Sequence, residues 1–386
     1  MKRSIDRILT THTGSLPRTE ALRRLIRSRE LGEDIDQQIF RETVKLAVEE
    51  AVVQQAQVGI DVVSDGEQAK SSFYSYLLER LSGLAGSTDA PPMKLNWDFP
   101  GYQDWWAETH GRGRVAMKRP ECVGPLSWRD RTKLETDLEN LREVTKGITM
   151  EEAFLPSASV GIVAQRIPNR YYQSYEAYVE AIANVMRDEY LAIANAGFIL
   201  QIDAPEMCID RNQPPFRDEP IEVFLKRMDL WVEALNHALT GIPEEMVRLH
   251  ICWGNGERPH TEDVPLEDII ETVLKVNCAG FSVEASNPRH MHEWKLWEDV
   301  QLPPGKVLMP GVIDSTTNFV EHPDLVAQRI ETFANLVGRE NVIASTDCGF
   351  GTTAFFDAIY PPLVWAKLRA LSEGARIASN RLWQRR

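Results

Sequence analysis

The residues best suited to chemistry lie in one apolar stretch, residues 246–255 (MVRLHICWGN), which ends in a glycine-containing turn. We interpret this stretch as a buried β-strand with a site at its exit. Because side chains alternate between the two faces of a strand, His250 and Cys252 point the same way and can hold one ion from one edge. Imidazole nitrogen and thiolate sulfur together favour zinc, which binds such donors in a tetrahedral shell. A core cysteine beside a hydrogen-bonded histidine would give the same pattern.

Two later strand-like runs also end in residues that could bind a metal ion. Residues 281–284 end in Glu284, and residues 342–351 contain Cys348. With the histidine and the cysteine of the first strand, they make a predicted shell of four ligands on three strand ends. Successive strand ends are separated by about 30 and about 60 residues, whereas structural zinc sites usually use closely spaced pairs that clamp one loop. The spacing therefore favours a catalytic metal ion.

Strand-like runs with polar exits alternate with helical segments along most of the chain. This alternation predicts a parallel α/β fold, and polar strand exits converge in a (β/α)8 barrel, whose active site lies at the C-terminal ends of the strands. The nine strand candidates, one more than a barrel needs, are residues 8–18, 59–67, 121–127, 152–157, 198–205, 246–255, 281–285, 307–314 and 342–348. The predicted helices are residues 36–58, 171–196, 222–239, 264–276 and 324–337. The core-facing side of the first helix is expected to carry Ile39, Thr43, Leu46, Ala47 and Ala51.

The whole chain, residues 1–386, is expected to form one barrel domain with added segments, since its length suits a single elaborated barrel. Residues from about 83 to 113 are irregular and rich in glycine, proline and aromatic side chains. Such a segment is too long for an ordinary connection. We interpret this insertion as a lid or a pocket wall, and a contact within a homo-oligomer would explain it equally well.

Other strand exits carry groups that could bind a small polar molecule. In the loop that follows the first strand candidate, Ser15 and neighbouring backbone N–H groups could cradle a carboxylate or a sulfonate, although a plain strand-to-helix connection would look alike. Glu67 and Asp203 close two further strand candidates and could receive a substrate ammonium, or could be solvated loop acids. His12 could touch a ligand, whereas His290 is expected at a pocket rim or at a capped helix start.

The composition excludes several classes of function. With 43 Lys plus Arg against 57 Asp plus Glu, the formal charge of −14 opposes a nucleic acid or an acidic membrane surface as the main partner. Five cysteines without tight spacing do not form a disulfide framework, and a thiolate ligand needs reduced sulfur. No apolar run reaches the length of a membrane span or of a signal peptide. We therefore expect a cytoplasmic protein.

In order along nearly the whole chain, the sequence resembles the C-terminal catalytic barrel of cobalamin-independent methionine synthase, a 5-methyltetrahydropteroyltriglutamate–homocysteine methyltransferase. The segments that carry this resemblance are residues 11–18 (THTGSLPR), 201–205 (QIDAP), 250–252 (HIC), 282–284 (SVE), 310–314 (PGVID) and 347–349 (DCG). The resemblance implies that the four predicted ligands are the zinc ligands. It also implies that Ser15 contacts the amino acid thiol substrate and that Glu67 and Asp203 surround its amine.

The resemblance implies a zinc-dependent methyltransferase or alkyltransferase of methionine biosynthesis. Zinc coordination removes the proton of a homocysteine-like thiol, whose pKa is otherwise about 8.5, and leaves a zinc thiolate that attacks the methyl donor. Of the four ligands, Glu284 is expected to move aside when the sulfur binds. Orientation of the two reactants then supplies much of the rate.

Two departures from the synthases keep other reactions open. The sequence lacks their N-terminal companion barrel, and Thr316 stands where a synthase has a histidine that assists proton transfer to the folate. A corrinoid protein could then deliver the methyl group. Epoxyalkane:coenzyme M transferases resemble the synthases in the same zinc motif, and a sulfonate-bearing thiol would favour arginines such as Arg18 or Arg289. A decarboxylase-like barrel without catalytic zinc, as in the uroporphyrinogen decarboxylases, is the third alternative.

Overall fold

The computed structural model describes residues 1–87, 101–102, 105, 108, 119–212, 216, 219–257, 259–355 and 357–384. The insertion predicted over about 83–113 lies mostly outside the described residues. Within these ranges, no helix combines the length and the apolar character that crossing a bilayer requires.

The core of the fold is an eight-stranded parallel sheet that curls into a barrel, which confirms the predicted fold class. The ten strands of the described chain are β1 (Leu9–Thr10), β2 (Val62–Ser64), β3 (Leu81–Ser87), β4 (Arg119–Trp128), β5 (Glu152–Ala158), β6 (Ile199–Asp203), β7 (Val247–Ile251), β8 (Gly280–Val283), β9 (Val307–Ile313) and β10 (Ile343–Thr346). The strand order in the sheet is β1-β10-β9-β8-β7-β6-β5-β2. At the seam between β1 and β2, the Asp61 N–H donates to the Thr10 carbonyl over 3.2 Å, and the Thr11 hydroxyl donates to the Val62 carbonyl over 3.1 Å.

The surplus strand candidate is residues 121–127, which lie outside the barrel. It forms part of β4, which pairs antiparallel with β3 in a separate two-stranded sheet. Residues 83–87, at the start of the predicted irregular insertion, belong to β3. The insertion therefore begins inside a hairpin, whose two strands sit between β2 and β5 in the chain.

Helices follow the strand exits and cover the outside of the barrel. Within the described chain they are α1 (Glu20–Leu31), α2 (Gln37–Gln57), α3 (Leu77–Arg80), α4 (Thr132–Thr145), α5 (Val160–Arg166), α6 (Tyr175–Asn195), α7 (Glu206–Ile209), α8 (Ile221–Ala238), α9 (Leu266–Val273), α10 (Leu296–Asp299), α11 (Pro323–Val337) and α12 (Pro361–Gln384). The predicted packing face of α2 is wrong in part, since Ile39 and Leu46 are exposed. Its buried face instead includes Phe40, Val44 and Val48, one or two positions away, because polar residues interrupt the apolar period on either side.

A buried arginine occupies the interior of the barrel near the start of the first loop. Arg248 in β7 donates to Gln201 Oε1 over 2.8 Å, to Thr11 Oγ1 over 2.9 Å and to the His12 carbonyl over 2.8 Å. Its guanidinium lies 3.5 Å from the centroid of the Phe154 ring. These contacts join β1, β5, β6 and β7, so the arginine fixes where the loop after β1 leaves the barrel.

A second buried arginine ties the hairpin region to the helical layer. Arg80, at the end of α3, donates to Asp137 of α4 over 2.5 Å and to Glu189 of α6 over 2.8 Å. The Tyr76 hydroxyl donates to the other oxygen of Glu189 over 2.5 Å. Burial works to raise the pKa of Asp137 to about 6, even beside this cation.

We predict that Arg80→Met strongly destabilises the protein, because it leaves Asp137 and Glu189 as buried carboxylates without a cation. Breaking one side of such a buried network typically costs about 3–5 kcal/mol. The control is Arg131→Met, which removes an exposed pair with Asp188 and should change the free energy of unfolding by less than about 1 kcal/mol. Urea denaturation measures both. Equal effects of the two substitutions would show that the buried network contributes little.

Candidate functional site

Three of the four predicted ligands converge at the C-terminal end of the barrel. His250 is the penultimate residue of β7, Cys252 directly follows that strand, and Cys348 lies two residues after β10, so each comes from a strand exit. One donor atom from each of these residues lies within 4.8 Å of the others, and all three side chains are buried. The two sulfurs are 3.7 Å apart. Two strands that are distant in the chain thus supply one compact group of donors.

The geometry of this group fits a bound metal ion. Two sulfurs on one tetrahedral zinc ion, at about 2.3 Å each, would be about 3.8 Å apart, close to the separation of Cys252 and Cys348. His250 Nδ1 lies 3.1 Å from the Ser282 hydroxyl, and His250 Nε2 is buried without a hydrogen-bond partner among the described residues. With Nδ1–H donating to Ser282, Nε2 presents its lone pair, as a metal-binding histidine does.

The two cysteine sulfurs interact directly. Their contact lowers the pKa of Cys252 well below its usual value and raises the pKa of Cys348 well above it. Metal ligation requires deprotonated sulfur, so both cysteines would give up their protons to a bound ion.

Glu284, the fourth predicted ligand, stands apart from this group. Its Oε2 accepts the Trp253 N–H over 2.9 Å, and its Oε1 accepts from the Asn287 amide and from the Arg289 guanidinium. Burial raises the pKa of Glu284 to about 7, although the Arg289 charge opposes this shift. The structure therefore places the carboxylate beside the cluster, in contact with an arginine.

Asp347 fixes the loop that carries Glu284. Its Oδ1 accepts the N–H groups of Ala285 and Ser286 over 2.9 and 2.8 Å, and its Oδ2 accepts the Ser286 hydroxyl and two Asn287 donors over 2.7, 3.0 and 3.0 Å. Sequence reasoning gave this residue no role of its own. An acid directly before a ligand at a buried strand exit was the available signal, because such an acid must find donors nearby.

The two predicted amine-binding acids interact across the mouth of the barrel. Burial raises the pKa of Asp203 to about 7, and the charge of Glu67 adds to the effect. The Gln201 amide donates to Asp203 over 2.7 Å, and Lys70 Nζ lies 3.7 Å from Glu67 Oε2. Glu67 has φ 55, a left-handed backbone conformation that is uncommon for a residue other than glycine and is often found at functional sites.

Ser15 packs directly against the loop that follows Cys348. Its hydroxyl accepts the Gly351 N–H over 3.3 Å, and its carbonyl accepts the Phe350 N–H over 2.9 Å. At Gly349 a Cβ would meet Ser15 Oγ at 2.0 Å, so only glycine allows this approach. The predicted substrate loop and the metal-binding loop are thus one packed unit.

Two other histidines are fully occupied by structural contacts. His12 Nε2 bonds to Gln55 over 2.7 Å and its Nδ1 accepts the Gly14 N–H over 3.1 Å, and burial lowers its pKa to about 3. His290 lies between Asp263 and Glu293 at 3.0 Å each. Burial disfavours the charged His290 ring, but these two acids outweigh it and raise the pKa to about 9.

Thr316 lies in the turn after β9, and the insertion contacts the loop after β7. The Thr316 hydroxyl donates to Asp314 Oδ1 over 2.8 Å, in the turn that follows β9. In the described part of the insertion, the Tyr102 hydroxyl donates to the Glu257 carbonyl over 2.8 Å. Glu257 lies in the loop after β7, so the insertion touches a loop that begins at the metal-binding cluster.

Comparison with known proteins gives a consistent result. A family model for the catalytic domain of cobalamin-independent synthase matches residues 8–92 and 160–360. The methionine synthase of Thermococcus kodakarensis is 25% identical over 341 residues, covering 88% of this chain and 86% of that protein. That of Sulfurisphaera tokodaii is 24% identical over 343 residues, covering 88% and 85%. The structure of a B12-independent methionine synthase from Shewanella sp. W3-18-1, in complex with selenomethionine, has the same fold, with a TM-score of 0.73, 22% identity and coverage of 98% and 99%.

We predict that the purified protein carries about one zinc ion per chain and loses it when Cys252 or Cys348 becomes serine. A hydroxyl does not ionise near neutral pH, so each variant should bind zinc more than roughly tenfold more weakly. The control is Cys278→Ser, which changes a buried cysteine of the β7–β8 connection. Elemental analysis and competition with a chelator measure the affinity. Wild-type zinc content in both site variants would contradict the assignment of these ligands.

Proposed function

The chain belongs to the family of the cobalamin-independent synthase catalytic domain, and on this premise we propose that it transfers a methyl group to the sulfur of homocysteine, with zinc as its cofactor. The observation that carries the proposal is the buried group of one imidazole nitrogen and two sulfurs, within 4.8 Å of one another, at the active face of the barrel. A thiol acceptor suits this donor set, because thiolate-rich zinc sites favour sulfur as a further ligand.

In the proposed enzyme, His250, Cys252 and Cys348 hold the zinc ion, and Glu284 is the residue that gives way to the substrate. When bound, the zinc ion would lower the pKa of the substrate thiol, so that its sulfur is nucleophilic at neutral pH. Water is excluded because all four side chains are buried. Exclusion of water strengthens every charge interaction in the pocket.

The remaining residues bind and orient the amino acid. We propose that Glu67 and Asp203 accept the substrate ammonium, which offsets the cost of burying two carboxylates near each other. We propose that Ser15, in the loop after β1, contacts the substrate from that side. The Shewanella relative was solved with selenomethionine, the selenium analogue of the product that this reaction would form.

The arginines that a sulfonate would need are committed elsewhere. Arg18 donates to the main-chain carbonyls of Gln68, Gly351, Glu67 and Lys70. Arg289 donates to Asn287 and Glu284. A coenzyme M-like acceptor would therefore meet the acids of the amine subsite without either predicted partner, and this favours an amino-thiol. The donor set likewise favours a zinc enzyme over a metal-free decarboxylase.

We propose that the methyl donor is a small molecule. A corrinoid protein, which the sequence left open as a partner, is not favoured, because the matched family and the Shewanella relative are both described as cobalamin-independent. The Thr316 hydroxyl already donates to Asp314. Thr316 therefore has no acidic proton to give to a leaving group. A donor such as methyltetrahydrofolate, whose leaving nitrogen must be protonated, should then react slowly.

The first test concerns Asp203→Asn. We expect this change to weaken binding of homocysteine by about 2–3 kcal/mol, or roughly 30- to 150-fold, because it leaves the ammonium underpaired in a dry pocket. A thiol acid of the same length without an amine should lose far less and serves as the internal control. Isothermal titration of the zinc-loaded protein with both thiols gives the comparison. Equal losses would mean that Asp203 supports the fold instead of the substrate.

The second test gives the protein homocysteine with three donors, methyltetrahydrofolate, methylcobalamin and an epoxide, in wild type and in Thr316→His. A histidine here should raise the methyltetrahydrofolate rate by a factor of roughly 10² to 10⁴, the usual range for general acid assistance. Thr316→Asn, which keeps polarity without an acidic proton, is the control. If methyltetrahydrofolate is the best donor in wild type and the histidine brings no gain, residue 316 does not limit the reaction.

A further inference from the structure

We propose that Arg289 is a positioning residue that holds the Glu284 carboxylate away from the metal-binding cluster, so that the fourth ligand position is free for the substrate sulfur. This inference rests on the proposed function and names a residue that controls it. Three observations carry it, namely the place of Glu284 outside the cluster, the way in which Arg289 is held, and the charges that surround both.

The first observation is that both oxygens of Glu284 have hydrogen-bond donors from the protein. Its two oxygens accept from Arg289, Asn287 and the Trp253 N–H, and the side chain is buried. A buried carboxylate needs either a cation or several donors. This one has an alternative to the metal ion already in place, and the alternative includes a full positive charge.

The second observation is that Arg289 is built into its position. Its Nε donates to Asn287 Oδ1 over 3.0 Å, and its own backbone N–H donates to the same oxygen over 3.0 Å. Asn287 is in turn fixed by Asp347, which holds the whole turn from residue 285 to residue 287. The loop and the arginine are therefore both fixed, and Arg289 presents a preformed cation to the Glu284 carboxylate.

The third observation concerns charge. The neighbouring cluster contains two buried cysteine sulfurs, and the buried Asp347 carboxylate shares the Asn287 side-chain amide with Glu284. A Glu284 carboxylate buried beside these negative groups would be strongly disfavoured without a counter-ion. Arg289 supplies that counter-ion, so exchange of the carboxylate for a substrate sulfur leaves every buried negative charge paired.

The test is a double-mutant cycle on Arg289→Met and Glu284→Gln in the zinc-loaded protein. In Arg289→Met the carboxylate loses its alternative partner and should compete for the metal ion. Zinc affinity, measured by competition with a chelator, should then rise roughly tenfold or more, and homocysteine affinity should fall by a similar factor, because the competent arrangement is less populated. Removing the carboxylate as well, in the double variant, should restore homocysteine binding.

Two controls separate positioning from simple damage. Arg289→Lys keeps the charge but loses the Nε contact to Asn287, so its zinc affinity should lie between those of wild type and Arg289→Met. Lys295→Met removes an exposed charge from the same segment and should change neither affinity. If Arg289→Met weakens both zinc and homocysteine, and Glu284→Gln does not restore either, Arg289 only supports the fold and the inference is overturned.

The outcomes also distinguish this inference from the proposed function. Zinc affinity is read without any substrate, so a tighter site in Arg289→Met supports the positioning role even if no variant binds homocysteine. Such a result would remove homocysteine as the substrate and leave the role of Arg289 standing. Unchanged zinc affinity in Arg289→Met, together with normal homocysteine binding, would overturn the inference and leave the function intact.

Discussion

The register of three adjacent parallel strands is the constraint on which the site depends. Asp203 in β6 pairs with His250 in β7, and His250 pairs with Ser282 in β8. One row across the barrel therefore holds the acid proposed to bind the amine, the imidazole proposed to bind the metal ion and the hydroxyl that bonds to this imidazole. A slip of one residue would turn all of them to the opposite face, so the apolar residues between them, such as Leu249 and Ile251, fix the site by packing outward.

The candidate site contains more buried acidic groups than the cations of the protein balance. Cys252, Glu284, Asp203 and Glu67 all face the mouth of the barrel, while Lys70 and Arg289 each partner one acid at the edge. Burial raises the pKa of Asp203 and of Glu284 to about 7, which shows how strongly the free site disfavours its own charges. A site of this kind is completed by cations from outside, and the proposed ligands are two cations, a metal ion and an ammonium.

The sequence predicted the barrel and the convergence of its strand exits, because the strand–exit–helix rhythm repeats and parallel topology sends every exit to one face. It could not identify the surplus strand, since residues 121–127 alternate like any half-buried strand and differ only in having an antiparallel partner. The parts that Asp347 and Arg289 take in holding Glu284, and that Lys70 takes beside Glu67, could not be predicted from the sequence. Their roles come from contacts between distant strand exits and from side-chain direction within a turn, and neither follows from residue type. The position of Glu284 beside the cluster, and not within it, also depends on such contacts and does not follow from residue type.

The thiol acceptor and the methyl donor of the proposed reaction are served by different strand exits. This explains how the donor side can vary alone. The acceptor side uses the exits of β2, β6, β7 and β10. The β10 exit is tied to the loop after β1 by packing between Ser15 and Gly349, and to the turn after β8 by the contacts of Asp347. The turn after β9 touches the acceptor side through Ser315, whose hydroxyl donates to Asn255 over 2.9 Å. Its Asp314 is held from the other side, since the Asp314 N–H donates to Glu321 over 2.9 Å and Glu321 is anchored by the buried Lys367 over 2.8 Å. The Thr316 backbone N–H also bonds to Asp314, and any residue at this position could make that bond. The side chain of residue 316 therefore makes one structural contact, through its hydroxyl. A different side chain there can change the proton chemistry on the donor side without disturbing the proposed metal ligands or the proposed amine subsite.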